Sequence, residues 1–78
     1  MIQVTEYWNK VVDDPVAPFG RKVLPEYEIH RQSTMDSDFK ELKARFKNHP
    51  RMTIHPDKIV EDNGRYYGIH SYIEIKPA

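Results

Sequence analysis

The sequence predicts an α+β domain: a small antiparallel sheet in the order β-β-α-β-β, with one amphipathic helix packed on one face. Three observations carry that expectation. Apolar residues alternate with polar ones near both ends of the chain. A single stretch in the middle carries apolar residues at helical spacing instead. Proline, glycine and Asn-Gly signals separate these segments.

The first segment, "IQVTEYW", sets Ile2, Val4 and Glu6 on one side and Gln3, Thr5 and Tyr7 on the other. That alternation predicts a short strand, with a helical turn over Trp8–Val12 as the competitor. "DDPVAPFG" follows and is a loop, because two prolines and a glycine in eight residues stop any regular element. Its Val16 and Phe19 are expected to fold back onto the core.

"KVLPEYEIHRQ" reads as a second strand. Val23, Tyr27 and Ile29 share one parity; Glu26, Glu28, His30 and Gln32 form the polar outer row. Pro25 lacks the N–H a ladder needs, so the strand lies at an edge or begins to pair after it.

"STMDSDFKELKARFKNHP" predicts the helix. Met35, Phe39, Leu42 and Phe46 make one apolar stripe. Asp36 or Ser37 caps its start, and Lys43, Arg45 and Lys47 suit the negative end of the dipole. Pro50 ends it by excluding His49 from the α region.

"RMTIH" and "DKIVE" are strand pieces interrupted by Pro56. "EDNGR" predicts a tight hairpin with Asn63 and Gly64 at positive φ. The last strand then runs from Arg65 to Lys76. Its Tyr67, Ile69, Ile73 and Ile75 should face the helix, leaving Tyr66, His70 and Tyr72 in the opposite row.

Composition bounds the function. The 78 residues make one domain with a thin core, and without cysteine there is neither a disulfide framework nor a thiolate metal cluster. Twelve basic and twelve acidic residues cancel. A dedicated duplex-DNA binder is usually basic and a DNA mimic acidic, so neither is indicated. The charge is uneven: residues 1–39 hold four basic and seven acidic residues, and residues 40–78 hold eight and five. No apolar run reaches the ~18 residues of a membrane span. "MIQVTEYW" has no basic n-region or apolar h-region, so no signal peptide is expected. A soluble, cytoplasmic chain is the default.

Tyr66, His70 and Tyr72 form the feature that folding does not obviously require. Flat rings on one sheet face can anchor a protein partner or stack unpaired bases. Cross-strand packing is the simpler account, since a Tyr ring covers a sheet while its hydroxyl stays wet. RNA-recognition sheets use a similar layout, but the chain has neither their glycine-aromatic pattern nor their β-α-β-β-α-β order. No family is recognised.

The four histidines, His30, His49, His55 and His70, form no HxH, HxxxH or HExxH pattern. His30 and His70 are both expected on the outer face and would meet if their strands are neighbours. The helix carries Lys40, Lys43, Arg45 and Lys47, with Arg51 just beyond. A helix obeying the dipole rule explains that run.

No catalytic residue, cofactor or metal ligand is assigned. The expected function is a small non-enzymatic protein-binding module or inhibitor. Compact modulators of this kind are typical of phages and mobile elements. Its contact residues would be Tyr66, His70, Tyr72, Glu28, His30 and Arg65, with Glu26 beside them. The partner would be another protein or a second copy of the chain. Two alternatives remain: single-stranded nucleic-acid binding by the same row with Arg65, Lys58 and Arg51, and a small histidine-based enzyme or metal protein.

Overall fold

The computed structural model describes all 78 residues as one five-stranded antiparallel sheet with a short helix. The strands are β1 (Ile2–Asp13), β2 (Arg21–Met35), β3 (Met52–Ile54), β4 (Ile59–Tyr66) and β5 (Ile69–Pro77). The helix α1 (Phe39–Arg45) joins β2 to β3. Spatial order is β2-β1-β5-β4-β3. Three strands follow the helix rather than two. Pro56 explains the extra one: it breaks the run at His55–Lys58, and the two halves pair as a hairpin, Ile54 opposite Ile59.

The long β1–β2 hairpin is closed by a 3₁₀ turn at Pro18–Gly20. β1 is far longer than the short strand expected, and no helical turn forms over Trp8–Val12. Ser33, Thr34 and Met35, expected in the helix, pair with Val4, Gln3 and Ile2 instead. Cross-strand pairing with Ile2 and Val4 outcompeted the helical spacing there. The helix therefore starts later. Asp38 caps it, accepting the Lys40 N–H at 2.9 Å, in place of Asp36 or Ser37.

Ile2, Ile59 and Ile75 form the buried core, and Phe39 and Leu42 of α1 pack against it with Val4, Met52, Ile54 and Ile73. Cross-strand partners share a face. The row Val4–Ile75–Ile59–Ile54 runs across four strands, and this side is the helix face. Tyr7, Tyr72 and Asp62 line the other side, the tyrosine face.

The β4–β5 turn differs from expectation in a way that decides where the aromatic residues lie. The chain turns at Tyr67–Gly68, not at Asn63–Gly64; φ is 53° at Tyr67 and 79° at Gly68. Asn63 is an extra residue in β4, between Asp62 opposite Tyr72 and Gly64 opposite Ser71. A turn at Asn63–Gly64 would pair Ile59 with Gly68. The observed register pairs Ile59 with Ile75, and burial of both selects it. Asp62 Oδ1 accepts the Gly64 N–H at 2.7 Å and holds the bulge, with Gly64 at φ 75°.

The molecule is thin and elongated, 48 × 24 × 16 Å. Its radius of gyration is 15.1 Å, against about 11.5 Å for a compact domain of this length. Val16 and Phe19 do not return to the core; they are 91% and 96% exposed. The core lies at the far end of the long hairpin from their loop. No helix is long and apolar enough to cross a membrane.

Candidate functional sites on the two sheet faces

The expected contact residues divide between the two faces. His70, Tyr72 and Arg65 lie on the tyrosine face. Tyr66 pairs with Ile69 and therefore lies on the helix face, because the Asn63 bulge and the turn at Tyr67 reverse its side. Tyr67 itself occupies the turn, 85% exposed, rather than the core.

Glu28 pairs with Trp8, on the helix face. A second irregularity lies beside it, where Glu6 pairs with Arg31 and Tyr7 with Ile29, leaving His30 extra. The His30 ring lies on the same face as Glu28 and stacks on Trp8 at 4.1 Å, with Nε2 3.9 Å from Glu6. His30 and His70 thus lie on opposite faces and do not meet. His49 and His55 serve turns: His49 Nδ1 accepts the Arg51 N–H at 3.2 Å, and the His55 N–H donates to the Lys58 carbonyl at 2.9 Å. No three histidine, aspartate or glutamate side chains gather as metal ligands do.

The tyrosine face holds a cluster that sequence parity hid. Tyr27 was expected in the row of Val23 and Ile29 that faces the core. It lies instead against His70 and Tyr72, at ring separations of 5.8 and 5.1 Å. Tyr7 stacks on Tyr72 at 5.0 Å. The Tyr27 hydroxyl lies 2.8 Å from His70 Nδ1, and His70 Nε2 lies 2.9 Å from Asp62 Oδ1. The three residues come from β2, β5 and β4 and make one continuous chain of hydrogen bonds.

Asn9 fixes its spacing. β1 stops pairing with β5 at Trp8–Ser71, and the Asn9 side chain takes over: Oδ1 accepts the His70 N–H at 2.9 Å and Nδ2 donates to the Glu26 carbonyl at 3.4 Å. Asn9 is buried, so these bonds have no ready substitute in water.

Three ionisations on this face depart from their ordinary values. The Gly64 N–H and then His70 hold the Asp62 carboxyl below its usual range. Burial, followed by Glu74, Tyr7 and Tyr27, pushes the Tyr72 phenol up. Further along, Glu74 lies between Lys76 at 3.0 Å and Lys58 at 3.7 Å, and its carboxylate raises Lys76.

The turn end of the helix face is different. Trp8, Tyr66, Tyr67, Ile69, Ser71 and Arg21 line a depression of about 450 Å³. An adjoining one of about 340 Å³ adds Val11, Pro18, Phe19 and Val23, and shares Arg21, Tyr67 and Ile69. No residue of α1 lines either depression. Arg21 is the only charged residue in them. Tyr66 is 75% exposed, and its ring meets Tyr67 edge-on at 4.5 Å. Of the three exposed aromatic residues here, the sequence singled out Tyr66 alone as a contact residue; Phe19 and Tyr67 were expected in the core and are exposed instead.

Comparison with protein-family models, with curated proteins and with solved structures finds no match to this chain.

Proposed function

We propose that this chain is a non-enzymatic protein-binding module whose contact surface is the apolar turn end of the helix face. The observation that supports it most is area. The chain exposes 5970 Å², against about 5,000 Å² for a compact protein of its mass. The excess resembles the ~800 Å² that each partner contributes to a standard interface. Phe19, Tyr66 and Tyr67 concentrate exposed aromatic area at this end, where α1 does not reach. Aromatic anchors in shallow apolar hollows are what interface hot spots consist of.

Arg21 argues for a foreign partner over a second copy. A two-fold dimer through this patch would offer Arg21 only the same lining, which holds no carboxylate. A partner segment with aliphatic or aromatic side chains and an Asp or Glu positioned for Arg21 matches both features. The nucleic-acid alternative has less support. The tyrosine rings on the other face pack on one another, and Lys58 is engaged with Glu74.

The test is selection from a random-sequence peptide display library on the immobilised chain. Enriched peptides should combine apolar residues with Asp or Glu. They should lose binding to the Tyr66→Ser/Tyr67→Ser double variant and to Arg21→Glu. Peptides that bind those variants as well as the parent would refute the assignment.

A further inference from the structure

The Asp62–His70–Tyr27 chain is more than a brace, because its proton order is set. An ionised Asp62 has no hydrogen to give, so His70 Nε2 must carry one and donate it. In the neutral imidazole, Nδ1 is then the acceptor, and the Tyr27 hydroxyl donates to it. A carboxylate orients an imidazole, and the imidazole is hydrogen-bonded to a hydroxyl: this is the arrangement that activates a nucleophile. Tyr27 remains reachable, 42% exposed. It opens onto a shallow depression of about 370 Å³ with Val23, Leu24 and Pro25 on the β2 side and Arg65 on β4. That hollow is mainly polar, completed by Asn9 and Gly68, and Arg65 is its one cation.

We propose that Tyr27 is a nucleophilic acyl-acceptor site, modified on its phenolic oxygen by small activated esters. A bond forms between Tyr27 Oη and the acyl carbon, and the bond from that carbon to the ester oxygen breaks. The phenolic proton passes to His70 Nδ1 and then to solvent, while the leaving group departs as its anion. Arg65 lines the same hollow; its Nη1 donates to the Gly68 carbonyl at 3.3 Å, and its other N–H groups are the donors available to the oxyanion that develops on the carbonyl. Asp62 is a positioning residue that keeps Nε2 protonated and Nδ1 free. The ionisable groups about Tyr27 are His70, which its hydroxyl meets, and Tyr72, whose ring packs on it, with Asp62 beyond His70, Tyr7 beyond Tyr72 and Arg65 in the hollow. The site shares only Val23 with the depressions of the proposed docking surface.

p-Nitrophenyl acetate is the probe, with peptide mass spectrometry as the readout. Trypsin releases residues 23–31, in which Tyr27 is the only tyrosine and no lysine occurs. Tyr66 and Tyr67 are internal controls, being more exposed and having no imidazole partner among their contacts. At neutral pH Tyr27 should acetylate about tenfold faster than either, less than the 10²–10⁴ of a sequestered general base because the site is open to water. Its pH–rate profile should differ in shape from that of the controls, which have no imidazole partner. His70→Phe should bring Tyr27 down to the control rate. Asp62→Asn should shift the pH profile, and Asp62→Glu should restore it. If His70→Phe does not fold, the rate ratio and pH profile of the parent chain decide alone. Tyr27 reacting no faster than Tyr66 and Tyr67, or following their pH dependence, would overturn the proposal.

Discussion

The Tyr27 hydroxyl and His70 Nδ1 lie 2.8 Å apart, although 43 residues separate them in the chain. β1 runs between their strands, and it is Asn9 of β1 that tethers both: one amide holds the His70 N–H, and the same amide reaches Glu26 beside Tyr27. Asn9→Ala should destabilise the fold by about 1–3 kcal/mol, the cost of stranding buried polar groups. Urea unfolding measures it. Amide exchange at His70 should accelerate in the same variant, and an unchanged midpoint would mean that water replaces the amide without loss.

The core is small enough for one residue to dominate it. Ile59 is fully buried against Ile75 and Ile2. Ile59→Ala should cost about 2–5 kcal/mol, a large share of the stability of so short a chain. Phe19→Ser, at an exposed site, should leave the unfolding midpoint nearly unchanged. Equal losses from the two substitutions would contradict the division between a core end and an open end.

Tyr67 and Gly68 hold the β4–β5 turn at positive φ, which a bulky L-residue adopts at a cost of about 1–2 kcal/mol. Tyr67→Asn should therefore stabilise the chain, by about 0.5–1 kcal/mol, because Asn suits the first position of such a turn. The same substitution should weaken capture of the selected peptides. Stability gained where binding is lost distinguishes a contact residue from a structural one, and thermal unfolding beside a titration shows both.

Two pH limbs follow from the tyrosine face. Folding lowers Asp62 below 3.8, so its contribution is present above the unfolded carboxylate range and is lost as pH falls through the folded value. The difference in stability between the parent chain and Asp62→Asn should shrink on acidification. Folding raises Tyr72 above 10.0, so its contribution is intact below that pH and is lost as the unfolded phenol ionises. Tyr72→Phe should flatten the alkaline limb. Chemical denaturation across the pH range checks both signs.

Some of this was legible before the structure. The parity of Ile2, Val4, Ile73 and Ile75 placed them on one face, and Phe39 and Leu42 were read as the apolar side of the helix; all six join the core. Pro25 does lie on an edge strand. Register accounts for the side chains that changed face. Parity carries along a strand only while pairing is regular, and one extra residue reverses every side chain beyond it. Tyr27 and Ile29, expected to face the core, pair with Asn9 and Tyr7 on the tyrosine face, which puts Glu28 and His30 on the helix face; the Asn63 bulge with the turn at Tyr67 puts Tyr66 there too. Asn-Gly was the stronger local turn signal, yet Tyr67–Gly68 turns, because only that register buries Ile59 against Ile75. Asp62 and Tyr27 could not be found from spacing, since their link to His70 depends on these same irregularities.

The central claim is that β4 and β5 turn at Tyr67–Gly68 with Asn63 as an extra residue, dividing the aromatic residues between two faces. Nuclear Overhauser contacts between assigned aromatic rings measure this directly. The account expects contacts of Tyr27 with His70, of Tyr7 with Tyr72 and of Trp8 with His30, and none from Tyr66 to His70 or Tyr72. Contacts from Tyr66 to His70 and Tyr72 would contradict it and restore a single aromatic row.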